Sequence, residues 1–83
     1  SMAGRRSEYR KAIELLRPAL VRWPGDSKLT GLFASALASA GAEELNKGDN
    51  AAAVESLTES VRLMPADNEA LMNLGRALHN LQR

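Results

Sequence analysis

The side chains able to do chemistry are few in this chain and far apart. His79, the one histidine, has only Glu69, ten residues earlier, as a nearby acidic partner, so an exposed helix histidine is the simpler reading than a metal ligand. Ser35, Ser39, Ser56 and Ser60 have no neighbouring base and no nucleophile elbow, and read as small packing residues. Glu43-Glu44 and the Glu55/Glu59 pair read as exposed helix charges, because an acid–base pair needs apolar surroundings to shift a pKa. The six glycines are scattered, so no phosphate-cradling loop exists, and the absence of cysteine removes disulfides, thiolate metal sites and thiol nucleophiles. No catalytic residue, metal or cofactor is expected, and the chain is not expected to be an enzyme.

Arg6, Arg10, Lys11 and Arg17 form a stripe that could touch phosphates. Seven basic residues against three acidic ones precede Leu29, and four against seven follow, so the halves carry +4 and −3. A polyanion binder is normally basic overall, whereas this chain totals +1. Solvated helix charge is the simpler account, and Tyr9 and Trp23, the rings that could stack on bases, are better used in packing. Nucleic acid is therefore not expected as a partner, and a weakly polyanion-binding helical domain stands only as an alternative. No apolar run is long enough for a membrane span, and no signal-peptide layout is present, which leaves a cytoplasmic default. Ser1-Met2 resembles the remnant of a cleaved tag. Residues 1–6 are read as that remnant with a flexible N-terminus and 7–83 as one helical domain, expected to be part of a longer protein.

The elements that would hold these groups are all helical. Tyr9, Ala12, Ile13, Leu16, Ala19 and Leu20 recur at spacings of three and four, predicting a helix over about 7–23, kinked at Pro18 or broken at Arg17. Pro24-Gly25 ends it and Asp26 caps a longer helix over 27–47, about 31 Å at 1.5 Å per residue, buried through Leu29, Leu32, Phe33, Ala36, Leu37 and Ala40. Gly48 suits a left-handed helix end. Asp49 or Asn50 caps a third helix over 51–64, on Val54, Leu57, Val61 and Met64. Pro65 stops it, and Asp67 caps a fourth over 68–81 with Leu71, Leu74, Leu78 and Leu81 on one side. Connections this short make neighbours antiparallel. Pro24/Pro65, Asp26/Asp67, Ala12/Ala53 and Leu16/Leu57 each stand 41 residues apart, the mark of a two-helix repeat that begins on a second helix and ends on a first.

These residues resemble the tetratricopeptide repeat, whose pattern is W-x₂-L-G-x₂-Y, then A-x₃-F, then P. The first segment reads Tyr9, Ala12-x₃-Leu16, Ala19, Pro24; the third reads Ala53-x₃-Leu57, Ser60, Pro65 after the Gly48-Asp49 turn; the last reads Leu71-x₂-Leu74-Gly75-x₂-Leu78. The family's unit is about 34 residues, and the excess of seven is assigned to the second helix, which carries the motif as Thr30-x₂-Phe33-Ala34-x₂-Leu37 and again as Leu37-x₂-Ala40-Gly41-x₂-Glu44. An insertion of seven turns the apolar face by only about 20°, so roughly two turns should project past shorter neighbours. HEAT or armadillo units, near 40–47 residues, are the rival helical scaffold.

The resemblance implies an all-α, tetratricopeptide-like α-solenoid fragment of four helices that binds a protein or peptide in a groove lined by the first helix of each pair. Its groove residues would be Glu69, Met72, Asn73, Arg76, His79 and Asn80 on the last helix, and Ser35, Ala38, Ser39, Ala42, Leu45 and Asn46 on the long one. Only Asn73 sits where the subgroup that grips terminal carboxylates places a clamp residue, which disfavours that ligand. Gly75 is expected against a neighbouring helix. The alternative is a self-assembling structural module. Apolar faces left open at both ends, with Leu29, Leu32, Phe33, Leu71, Leu78 and Leu81 as contacts, would make a homodimer with exchanged end helices.

Overall fold

A computed structural model describes residues 2–82, with side chains for 8–82; Ser1, Arg83 and the side chains of Arg5 and Arg6 lie outside the described residues. The fold is all-α: helices α1 (Met2–Arg22), α2 (Ser27–Asn46), α3 (Asn50–Leu63) and α4 (Asn68–Leu81), with no strand among the described residues. Aspartates start the last three as the sequence predicts. Asp26 accepts from the amides of Lys28 and Leu29 at 3.0 and 3.1 Å, Asp49 from Ala52 at 3.3 Å, and Asp67 from Ala70 at 3.1 Å. Each satisfies donors that the first helical turn leaves open. Among the described residues Gly48 alone takes a positive φ, +82°, and lets the chain reverse within three residues of the end of α2.

α1 runs uninterrupted through Pro18, against the expected break, and begins at Met2 rather than near Ser7. Pro18 is exposed, so the lost backbone bond falls on the solvent side while Ile13, Leu16 and Leu20 hold the helix to α2 on either side of it. The length of α1 also overturns the projecting turns. Phe33 is buried with Ile13, Leu37 and Ala40 rather than presented for self-association, Leu29 is half-buried, and only Leu32 of that group is exposed.

The long helix α2 is the central element, packed on α1, α3 and, less extensively, α4. Its neighbours run antiparallel: Arg10 meets Glu44 while Arg17 lies 5.0 Å over the Phe33 ring, and Leu57 faces Gly41 while the Ser60 hydroxyl donates to the Ala34 carbonyl at 2.8 Å. Two small cores result, one of Ile13, Phe33, Leu37 and Ala40, the other of Leu45, Ala53, Leu57, Ala70 and Ala77. α1 and α3 make no close backbone approach, and two arginines cross the trough between them. Arg10 reaches Glu44 and Ser56; Arg17 makes a two-point contact with Glu59 at 3.0 and 3.1 Å.

This geometry corrects several expectations. Glu44 is not an exposed charge: it is 0% exposed, with Ser56 donating to its Oε1 at 2.8 Å and Arg10 to its Oε2 at 2.5 Å. Glu59 is half-buried and paired with Arg17, whose pKa rises because Glu59 accepts its hydrogen bonds. Leu45, expected in the groove, is buried in the second core. Trp23 is 54% exposed beneath the Arg22 guanidinium rather than packed. Met64 is exposed because it lies past the end of α3. Gly75 faces open space: no atom stands within 4 Å of where its Cβ would be. The close-packed glycine is Gly41, whose Cβ would come within 2.5 Å of Leu57 Cγ.

Candidate functional site

α2 and α4 diverge above the second core and leave a groove of about 450 Å³. Its floor is made of small residues from one face of α2: Gly31, Ala34, Ser35, Ala38, Ser39 and Ala42. They recur at three and four because that face must also pass close to neighbouring helices, and their short side chains leave room above the backbone. Tyr9 closes one side from α1; Met64 and Asp67 at the α3–α4 turn, with Glu69, Ala70 and Asn73 on α4, close the other. Glu43 and Asn46 add polar groups beside the floor.

Of the groove residues expected on α2, the structure brings together Ser35, Ala38, Ser39, Ala42 and Asn46, and removes Leu45. Of the six on α4, Glu69 and Asn73 line the groove. Met72, Arg76, His79 and Asn80 lie with Gly75 on a shallow separate surface of the same helix. Successive residues turn by about 100°, so Met72 and His79 point about 60–80° away from Glu69, while Arg76 and Asn80 share its side of α4 but lie about 10 and 16 Å farther along the helix. Asn80 is also engaged, donating to the Asn50 side chain at 3.0 Å.

Among the described residues, every charged side chain lining the groove is acidic: Glu43, Asp67 and Glu69. Asp67 is held by the Ala70 amide and stays fixed at the mouth. The Glu43 side chain is only 16% exposed, and its Oε2 is shielded from water with no hydrogen-bond donor. Lys47 Nζ stands 3.6 Å from that oxygen, close enough for ion-pair attraction but beyond a hydrogen bond, so the lysine offsets the charge without saturating the acceptor. Sequence reasoning missed Tyr9 and Met64, which it assigned to helix packing, Asp67, which it assigned to a cap, Glu43, which it read as an exposed charge, and the small residues Gly31, Ala34 and Ala70. The proximity of Glu43 to the small stripe of α2 is the one signal that could have shown it.

The basic stripe on α1 is largely committed to structure. Arg10 and Arg17 are occupied by Glu44 and Glu59, Lys11 is exposed, and the Arg6 side chain lies outside the described residues. Among the described residues no group of three His, Asp or Glu side chains could hold a metal ion, and no helix is long and apolar enough to cross a membrane. Comparison with protein-family models, curated proteins and solved structures finds no match to this chain.

Proposed function

We propose that this chain is a tetratricopeptide-like interaction module that holds an extended segment of a partner protein in the α2–α4 groove, without catalysis. The observation that carries this reading is the groove itself: a floor of small side chains lets a peptide backbone approach closely, and Asn46, Asn73 and the serines can pair with its amides and carbonyls. A repeat in the sequence supports it. Leu37-x₂-Ala40-Gly41-x₂-Glu44 on α2 recurs 34 residues later as Leu71-x₂-Leu74-Gly75-x₂-Leu78 on α4, the unit length of that family. A random peptide-display selection tests the reading. Enriched peptides are expected to lose binding to Ser35→Trp, which fills the groove from an exposed position while leaving the circular dichroism unchanged. No enrichment, or peptides indifferent to the tryptophan, would move the site off the groove.

A second reading, self-assembly, is favoured by the outer surface of α4. Leu71, Met72, Leu78 and Leu81 are exposed around Gly75. In α2 the equivalent surface is covered by Leu57 of α3, and α1 carries Ala12 and Leu16 at the spacing of Ala53 and Leu57. The proposed occupant is accordingly a second copy, each chain's α1 covering the other's α4 in a homodimer, reciprocally as two-fold closure requires. Light scattering after size exclusion at tens of micromolar should give about twice the chain mass, reverting to one with Gly75→Arg. A monomer under those conditions, or a dimer indifferent to Gly75→Arg, refutes this arrangement.

A further inference from the structure

We infer that the groove selects a positively charged segment: its occupant is an extended peptide carrying lysine or arginine. The inference rests on the groove reading above and adds the chemistry of the ligand. Fourteen of the described residues line the groove, three of them carboxylates and none of them lysine, arginine or histidine. Lys47 stands 3.6 Å from Glu43 as its i,i+4 partner and offsets part of that charge. The carboxylates are spread along the groove: Glu43 beside the floor on α2, Asp67 at the α3–α4 turn, and Glu69 exposed in the first turn of α4. A peptide laid between the helices therefore meets negative potential on both walls.

Glu43 acts through its charge: its Oε2 is shut off from solvent and faces Lys47 at 3.6 Å, short of a hydrogen bond, so a cationic side chain in the groove is drawn towards the carboxylate without bonding to that oxygen. The floor sets the shape of the ligand: alanines, serines and Gly31 admit a backbone but offer no deep pocket for a large apolar anchor. Affinity must then come from backbone hydrogen bonds and charge. An acidic tail, the natural choice if Arg76 and His79 had faced the cleft, is repelled, because both residues lie on the other surface of α4.

Fluorescence anisotropy with three labelled ten-residue peptides tests this: one alternating lysine and alanine, one alternating glutamate and alanine, and one alternating serine and alanine. The lysine peptide is expected to bind at least tenfold tighter than the serine peptide and to weaken as salt rises. The glutamate peptide is expected not to bind. Glu69→Lys should abolish the preference, and Glu43→Gln should weaken the lysine peptide several-fold with unchanged helicity. Equal binding of the lysine and serine peptides, blocked by Ser35→Trp, would overturn the charge inference while leaving the groove in use. Tighter binding of the glutamate peptide would overturn it too. If none of the three binds at millimolar concentration, the inference fails, and the display selection above decides separately whether the groove binds anything. Lysine-peptide binding that ignores Glu43→Gln and Glu69→Lys would place the cation site elsewhere and also refute it.

Discussion

Gly41→Leu is expected to destabilise the fold by about 1–3 kcal/mol, whereas Gly75→Leu, the same substitution at the matching motif position 34 residues later, should stabilise it by about 0.5–1 kcal/mol. A Cβ at Gly41 would lie 2.5 Å from Leu57 Cγ and 2.8 Å from its Cδ2, and Leu57 is completely buried with nowhere to retreat. Overpacking there outweighs the gain in helix propensity from replacing glycine. Nothing stands within 4 Å of the equivalent point at Gly75, so only the propensity gain remains. Urea unfolding at low micromolar concentration, where association is minimal, measures both. Equal shifts, or a greater loss at Gly75, would contradict the α2–α3 packing. A coupled variant sharpens the test. In a Leu57→Ala background, itself expected to lose about 2–5 kcal/mol, Gly41→Ala should turn from costly to favourable because its methyl enters the vacated space. For a chain of this size, total stability is about 4–12 kcal/mol, so these differences are large enough to read directly.

Arg10→Ala is expected to lose about 1.5–3 kcal/mol, clearly more than Arg17→Ala, which should lose about 0–1 kcal/mol. Both arginines cross from α1 to a carboxylate, but the carboxylates differ. Glu44 is 0% exposed and Glu59 lies partly in solvent. Without Arg10, a buried carboxylate loses a charged donor that water replaces only in part; without Arg17, water substitutes. The loss stays below the 3–5 kcal/mol typical of a broken, fully buried pair because the Arg10 side chain is itself 42% exposed. The double variant Arg10→Leu/Glu44→Leu should recover most of the loss, since removing both charges leaves none buried. If Arg10→Ala cost no more than Arg17→Ala in thermal unfolding, the buried network would not hold α1 in place.

These contrasts show where reading the chain reached and where it stopped. The four helices, their aspartate caps and the left-handed Gly48 were legible because each is decided within a few residues, by 3.6-residue periodicity, by a side chain accepting from amides two or three positions on, or by a missing Cβ. The small face of α2 was legible for the same reason, and with it five residues of the groove. Partners across the fold were not. Glu44 reads as an exposed charge although it stands on the apolar row Leu37, Ala40, Gly41, because what lets it be buried includes an arginine 34 residues away on α1, where no local rule finds it. The glycine motif likewise occurs at Gly41 and Gly75, and sequence cannot say which is covered. That depends on whether another helix packs there, as α3 does at Gly41 and none does at Gly75. Periodicity within each helix fixed which faces are apolar; only the packing of one helix on another decided which faces are filled, which charges are paired, and which surface is left open as a groove.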